Sequence, residues 1–335
     1  MKKACAKAKG DQLKHAHDHS HGVVDPALIA TGRGISAVKW SLLALLATAA
    51  LQMVVVVLSG SVALLADTIH NVGDATTAIP LWIAFALAGS KPTRRFTYGY
   101  GRVEDLAGLA IVLIILASAI LAAYQTVDRL LHPQTIEYLW AVVGASVIGF
   151  AGNEAVALYR INVGKEIGSA ALVADGYHAR VDGLTSLAVL FGALGAWLGY
   201  PLADPVVGLV ITIAILRIVW ECGRSVLPRL LDGVDPEVVE EIKHAANHAQ
   251  GVHEVTEVRV RWIGHRLYAQ VNVAVGPELS VEQGHEVARE TRHQLLHHLR
   301  YLSDATIHVD PLDASGDRHH RIPQHEHEGF LNHSH

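Results

Sequence analysis

The sequence holds only two cysteines, Cys5 and Cys222, far apart in a chain of 335 residues. That excludes a disulfide framework and a thiolate metal cage. No Cys or Met stands among the candidate ligands, which removes the soft donors that suit Cu(I). Charged residues make up only 18% of the chain, and the net charge is −5. With no basic face, a nucleic-acid partner is not expected. The zinc-peptidase pattern HExxH is absent. The first thirty residues hold no apolar signal-peptide core, so no cleaved leader is expected there.

Long apolar runs are abundant. Apolar residues are 51% of the chain, concentrated between about Ile35 and Trp220. A membrane span needs about 20 apolar residues. Six stretches qualify: roughly 36–58, 62–88, 105–127, 138–159, 168–198 and 203–221. Lys and Arg collect on one side: in the N-terminal arm, at Lys91 to Arg102, at Arg160 and Lys165 of the fourth-to-fifth loop, and after the sixth span. That asymmetry places both termini in the cytoplasm. The tail then reads α-β-β-α-β, a small two-layer α+β domain, with Ser280 as an N-cap. The expected organisation is a His-rich arm (1–34), a six-helix membrane domain (35–222), a linker (223–234), a C-terminal domain (235–312) and a His-rich, disordered tail (313–335).

Histidine is unusually frequent, with 22 residues. Four lie in HAHDHSH (His15 to His21) and six follow Arg318, a compositional sign of metal capture. His244 and His248, like His293 and His297, sit on amphipathic helices and read as solvated faces.

The informative pattern is repeated. LLADTIHNVGDATT (64–77) and LVADGYHARVDGLT (172–185) each carry Asp, then His three residues on, then Asp four further. On a helix these positions share a face. Each Asp at bilayer depth costs about 2.5–3.5 kcal/mol, so such residues face a bundle interior and mark an ion path. His70 and Asp74 with His178 and Asp182 make two imidazoles and two carboxylates, a tetrahedral set suited to Zn²⁺. The alternative for one pair is a structural hydrogen bond between helices. Asp67 and Asp175, one turn earlier, would relay protons, orient the imidazoles or bond to a neighbouring helix. Glu154 is the expected counter-ion of Arg180, a structural pair. Gly73, Gly176 and Gly183 would permit close helix approach.

Six spans, HxxxD in the second and fifth, His-rich arms and the α-β-β-α-β tail resemble the cation diffusion facilitator family of metal/proton antiporters. The resemblance covers about residues 30–312. It implies a homodimer, a transport site of His70, Asp74, His178 and Asp182, a ferredoxin-like cytoplasmic domain that binds metal, and Zn²⁺ as substrate and regulatory ligand. No catalytic cofactor is implied. His308 and Asp310 share a strand face. With His285, and His265 in reach, they resemble the family's cytoplasmic metal site. Thr256 and Asn272 stand where some members have further ligands. Phe96 and Tyr100 replace the Asp and His of a surface site that some relatives carry, so none is expected here. Arg102 and Asp232 match a charge pair that interlocks the dimer.

Histidine titrates near pH 6.5, and a metal needs it neutral. Metal and protons therefore compete for His70 and His178, which with the resemblance implies proton-driven efflux; the expected location is a bacterial inner membrane. Co²⁺, Cd²⁺, Fe²⁺ and Ni²⁺ remain open as cargo. The rival classes are a membrane metal sensor and an intramembrane metalloenzyme, the latter disfavoured because four ligands leave no place for water.

Overall fold

The computed structural model describes residues 26–59, 78–131, 138–200 and 202–316, with positions 65, 68, 72 and 73 between the first two segments. Asp67, His70, Asp74 and the His-rich stretches at 15–21 and 319–335 lie outside the described residues.

Five described helices are long and apolar enough to cross a membrane. They are α1 (Pro26–Ser59), α3 (Arg102–Leu131), α4 (Leu139–Ile167), α5 (Ala170–Trp197) and α6 (Ala203–Leu230). The shorter α2 (Ala78–Ala88) belongs to the second apolar stretch. Their shared core is built of residues such as Ala37, Phe85, Ile115, Leu172 and Ile215. Trp40, Leu43, Val57, Trp197 and Trp220 point outward, more than 60% exposed. So many bare apolar side chains on helices require lipid around them.

The turn between α4 and α5 sets how closely those two helices pack. Gly168 ends α4 with a left-handed φ of 74°, and its N–H caps the helix on Gly164 and Lys165 carbonyls. Glycine takes that conformation without a Cβ clash. Ser169 then opens α5 at once, its Oγ accepting from the Leu172 N–H at 3.1 Å. Two residues thus reverse the chain and lay α5 along α4. The fourth-to-fifth loop expected from the sequence shrinks to this turn, and Arg160 lies inside α4 rather than in a loop.

The C-terminal domain contains α7 (Pro236–Asn247), β1 (Glu254–Ile263), β2 (Arg266–Val275), α8 (Val281–His298) and β3 (Leu302–Pro311). The sheet order is β1-β2-β3. The first pair is antiparallel and the second parallel, with α8 as the crossover. Ser280 and Gln283 form a full capping box on α8. Ile242, Val271, Val273 and Leu295 are wholly buried between the helices and one sheet face. This is the ferredoxin-like αββαβ arrangement.

Candidate functional site in the membrane domain

Asp175, His178 and Asp182 lie on α5, the first two buried among small residues. The His178 side chain is 3% exposed and that of Asp182 15%; Nδ1 and Oδ1 stand 3.9 Å apart. That is too far for a hydrogen bond. Neither ring nitrogen of His178 has a hydrogen-bond partner among the described residues. An unpartnered buried polar group costs about 1–3 kcal/mol, so such an imidazole calls for an explanation. His178 and Asp182 thus present an imidazole and a carboxylate from one helix. Their counterparts His70 and Asp74 fall outside the described residues.

Asp175 is not free to join it. Arg160 Nη1 lies 3.0 Å from Asp175 Oδ2, with the side chains 2% and 0% exposed. The contact is between charges without hydrogen-bond alignment, for Arg160 Nε and Nη2 and both Asp175 oxygens lack hydrogen-bond partners. Of the roles open to Asp175, the structure therefore gives it an ionic partner on the neighbouring helix. Sequence reasoning misses Arg160 because it reads as a loop cation. A signal does exist, since a buried carboxylate demands a cation and Arg160 stands at the end of the preceding apolar stretch. Arg180 meets Glu154 in two hydrogen bonds, Nη2 to Oε1 at 2.7 Å and Nε to Oε2 at 3.1 Å.

A second buried cluster ties the C-terminal domain to the helices. Glu104, at the start of α3, is 1% exposed. Its Oε2 accepts from the His265 backbone N–H at 3.2 Å and lies 2.6 Å from His265 Nδ1. Its Oε1 accepts from Ser169 Oγ at 2.6 Å. The other ring nitrogen, Nε2, meets Thr31 Oγ1 of α1 at 3.0 Å. Asp105 accepts from the Gly264 N–H at 3.0 Å. Gly264 turns the β1–β2 hairpin at φ 62°, and a Cβ there would strike Glu104 Oε2 at 2.7 Å. The sequence offers His265 only as a candidate further ligand beside His285, His308 and Asp310; in this structure both its ring nitrogens serve the junction.

On β3, His308 Nε2 lies 3.0 Å from Asp310 Oδ1. His285 is exposed on α8, the layer covering the opposite sheet face, which carries Ile307 and Val309. No three His, Cys, Asp or Glu side chains converge among the described residues. Across the sheet, Asn272 pairs in register with His308 and donates to Glu257 Oε2 at 3.1 Å. Arg102 pairs with Asp232, and donates to the Arg229 carbonyl at 2.7 Å. Both ends belong to one chain, so the pair does not by itself bridge two copies.

The chain is similar to known proteins along most of its length. Residues 38–231 match the family model of the cation efflux transmembrane domain, and residues 234–312 that of the cation efflux protein cytoplasmic domain. A Mycobacterium tuberculosis (strain CDC 1551 / Oshkosh) protein named "Probable cation efflux system protein MT2084" is 55% identical over 89% of this chain and 90% of its own length. The magnetosome protein MamB of Magnetospira sp. (strain QH-2) is 28% identical over 76% of this chain and 88% of its own. The manganese efflux system protein MneP of Bacillus subtilis (strain 168) is 29% identical over 75% and 87%.

Proposed function

The chain belongs to the cation efflux family of multi-pass membrane transporters, not enzymes, and on that premise we propose that it exports Zn²⁺ in exchange for protons. The cation would bind between the second and fifth spans, held by His70, Asp74, His178 and Asp182. The observation that carries this reading is the buried His178 imidazole, without a hydrogen-bond partner beside Asp182. Facing the cytoplasm, the site loads a dication and the imidazoles give up protons. Facing the other side, incoming protons reclaim them and expel the metal. Two imidazoles with two carboxylates favour Zn²⁺ over Mn²⁺, which prefers oxygen donors. Manganese is the second reading, because one relative is named a manganese efflux protein.

The surplus of Lys and Arg on one side supports an inner-membrane orientation with both termini cytoplasmic. The C-terminal domain would join two copies into a homodimer. His308 and Asp310 offer two donors for a regulatory zinc there, and any further ligand would come from His285 or from outside this protomer.

The test is metal-resolved uptake into reconstituted vesicles, with and without an acid interior. Zn²⁺ uptake should rise with the imposed gradient and collapse when the gradient is dissipated. Uptake that ignores the gradient contradicts proton exchange, and faster Mn²⁺ than Zn²⁺ transport contradicts the assignment of cargo.

A further inference from the structure

Asp175 stands one helical turn from His178 and on the same face. At that level α4 and α5 touch through backbone. A Cβ on Gly176 would meet Ile161 N at 2.9 Å and the Ala157 carbonyl oxygen at 3.1 Å. The bare surface of Gly176 lets Arg160, one turn along α4 from Ala157, reach Asp175. Arg160 is the bulkiest wholly buried side chain described in the protein. The ion pair it makes is 3.0 Å long and sealed from solvent.

This placement is peculiar for a purely structural pair. A guanidinium and a carboxylate at such depth are normally saturated by hydrogen bonds. Here Arg160 Nε and Nη2, and both Asp175 oxygens, have none among the described residues. The carboxylate is held by charge alone and keeps its lone pairs. No other ion pair reaches Asp175 among the described residues: α3 approaches α5 through Gly108 against Ala171, and the only other titratable groups on its face of α5 are His178 and Asp182. A carboxylate so placed, one turn from an ion site, is a donor in all but its partner.

We propose that Arg160 is a specificity-determining residue: by pairing with Asp175 it withholds a further carboxylate from the ion and keeps the site selective for Zn²⁺ over Mn²⁺. The inference rests on the transport site proposed above. The physical reason is the donor set. Two imidazoles and two carboxylates suit Zn²⁺, whereas each added carboxylate turns a site toward harder cations that accept more than four oxygen-rich ligands. The guanidinium competes with the arriving dication for the same oxygens and prevails because it is already in place.

The experiment compares Zn²⁺ and Mn²⁺ uptake by the full chain in vesicles, as KM and kcat for each ion. Arg160→Met should lower the Mn²⁺ KM relative to the Zn²⁺ KM by about tenfold or more, the scale on which altered ligand surroundings change metal affinity. Arg160→Lys should preserve the wild-type ratio. The paired variant Arg160→Met with Asp175→Leu removes both charges and should also keep that ratio. If Arg160→Met inserts and folds but the ratio stays put, the inference is overturned. A paired variant that folds with an altered ratio also overturns it, because Asp175 would then already be in use; where Arg160→Met does not fold, Arg160→Gln, which likewise removes the charge, should show the same shift in ratio, and an unchanged ratio in it overturns the inference. Failure of the transport site itself reads differently, as wild-type pumping by His178→Ala.

Discussion

At the scale of single residues, two histidines with nearly equal burial have opposite surroundings. His265 uses both ring nitrogens, on Glu104 and Thr31. His178 uses neither in a hydrogen bond among the described residues. Sequence spacing picks out His178 because its HxxxD is repeated 108 positions from the first in the numbering, His70 to His178. Nothing comparable marks His265, whose partners lie more than 160 and 230 residues away and are found only by folding. Glu104 accepts three hydrogen bonds in that junction, and its removal leaves buried donors unpaired, at about 1–3 kcal/mol each. Glu104→Ala is therefore expected to lower the thermal midpoint in detergent far more than Glu154→Ala, whose partner Arg180 is over a quarter exposed. Equal shifts would mean that the junction carries no special weight.

At the scale of elements, the decisive feature is the α4–α5 hairpin. Hydropathy finds both helices, but it ends the fourth at its last apolar residues and leaves Arg160 outside. The true end is set by backbone chemistry, a left-handed Gly168 followed by a capping Ser169. Hydropathy has no view of either, whereas the C-terminal domain's elements are legible because their alternation and caps are local. The interface itself depends on glycine. At Gly164 and Gly176 an added Cβ would meet backbone nitrogens of the opposite helix at 2.8 and 2.9 Å. Gly176→Ala must push the helices apart, with overpacking of about 1–3 kcal/mol partly offset by helix propensity of up to ~1 kcal/mol. Transport should fall much more steeply than stability, since the displaced face carries Asp175 and His178. Initial zinc flux set beside the unfolding midpoint checks this; flux retained at the wild-type level would show that the close approach is not needed.

At the scale of the whole molecule, the hairpin turn at Gly264–His265 joins the C-terminal sheet to α1 through Thr31, to α3 through Glu104 and Asp105, and through Glu104 to Ser169 at the head of α5. The helix that carries His178 and Asp182 is thus fastened at its N-terminal end to the C-terminal domain. Arg102, Asp232 and Arg229 reinforce the same seam within one chain. The sequence points to Arg102 and Asp232 as partners but offers no way to tell a bond within a protomer from one between protomers. It is most informative where chemistry repeats, in the two HxxxD motifs, and least where charge is absorbed silently, as in Arg160. The proposed transport mechanism turns on a dication held by a histidine and an aspartate from each of two helices. The direct measurement is zinc flux by a folded His70→Ala, Asp74→Ala, His178→Ala, Asp182→Ala variant, inserted in vesicles at wild-type density. The account predicts flux no greater than that of protein-free vesicles, and zinc pumping at the wild-type rate would contradict it.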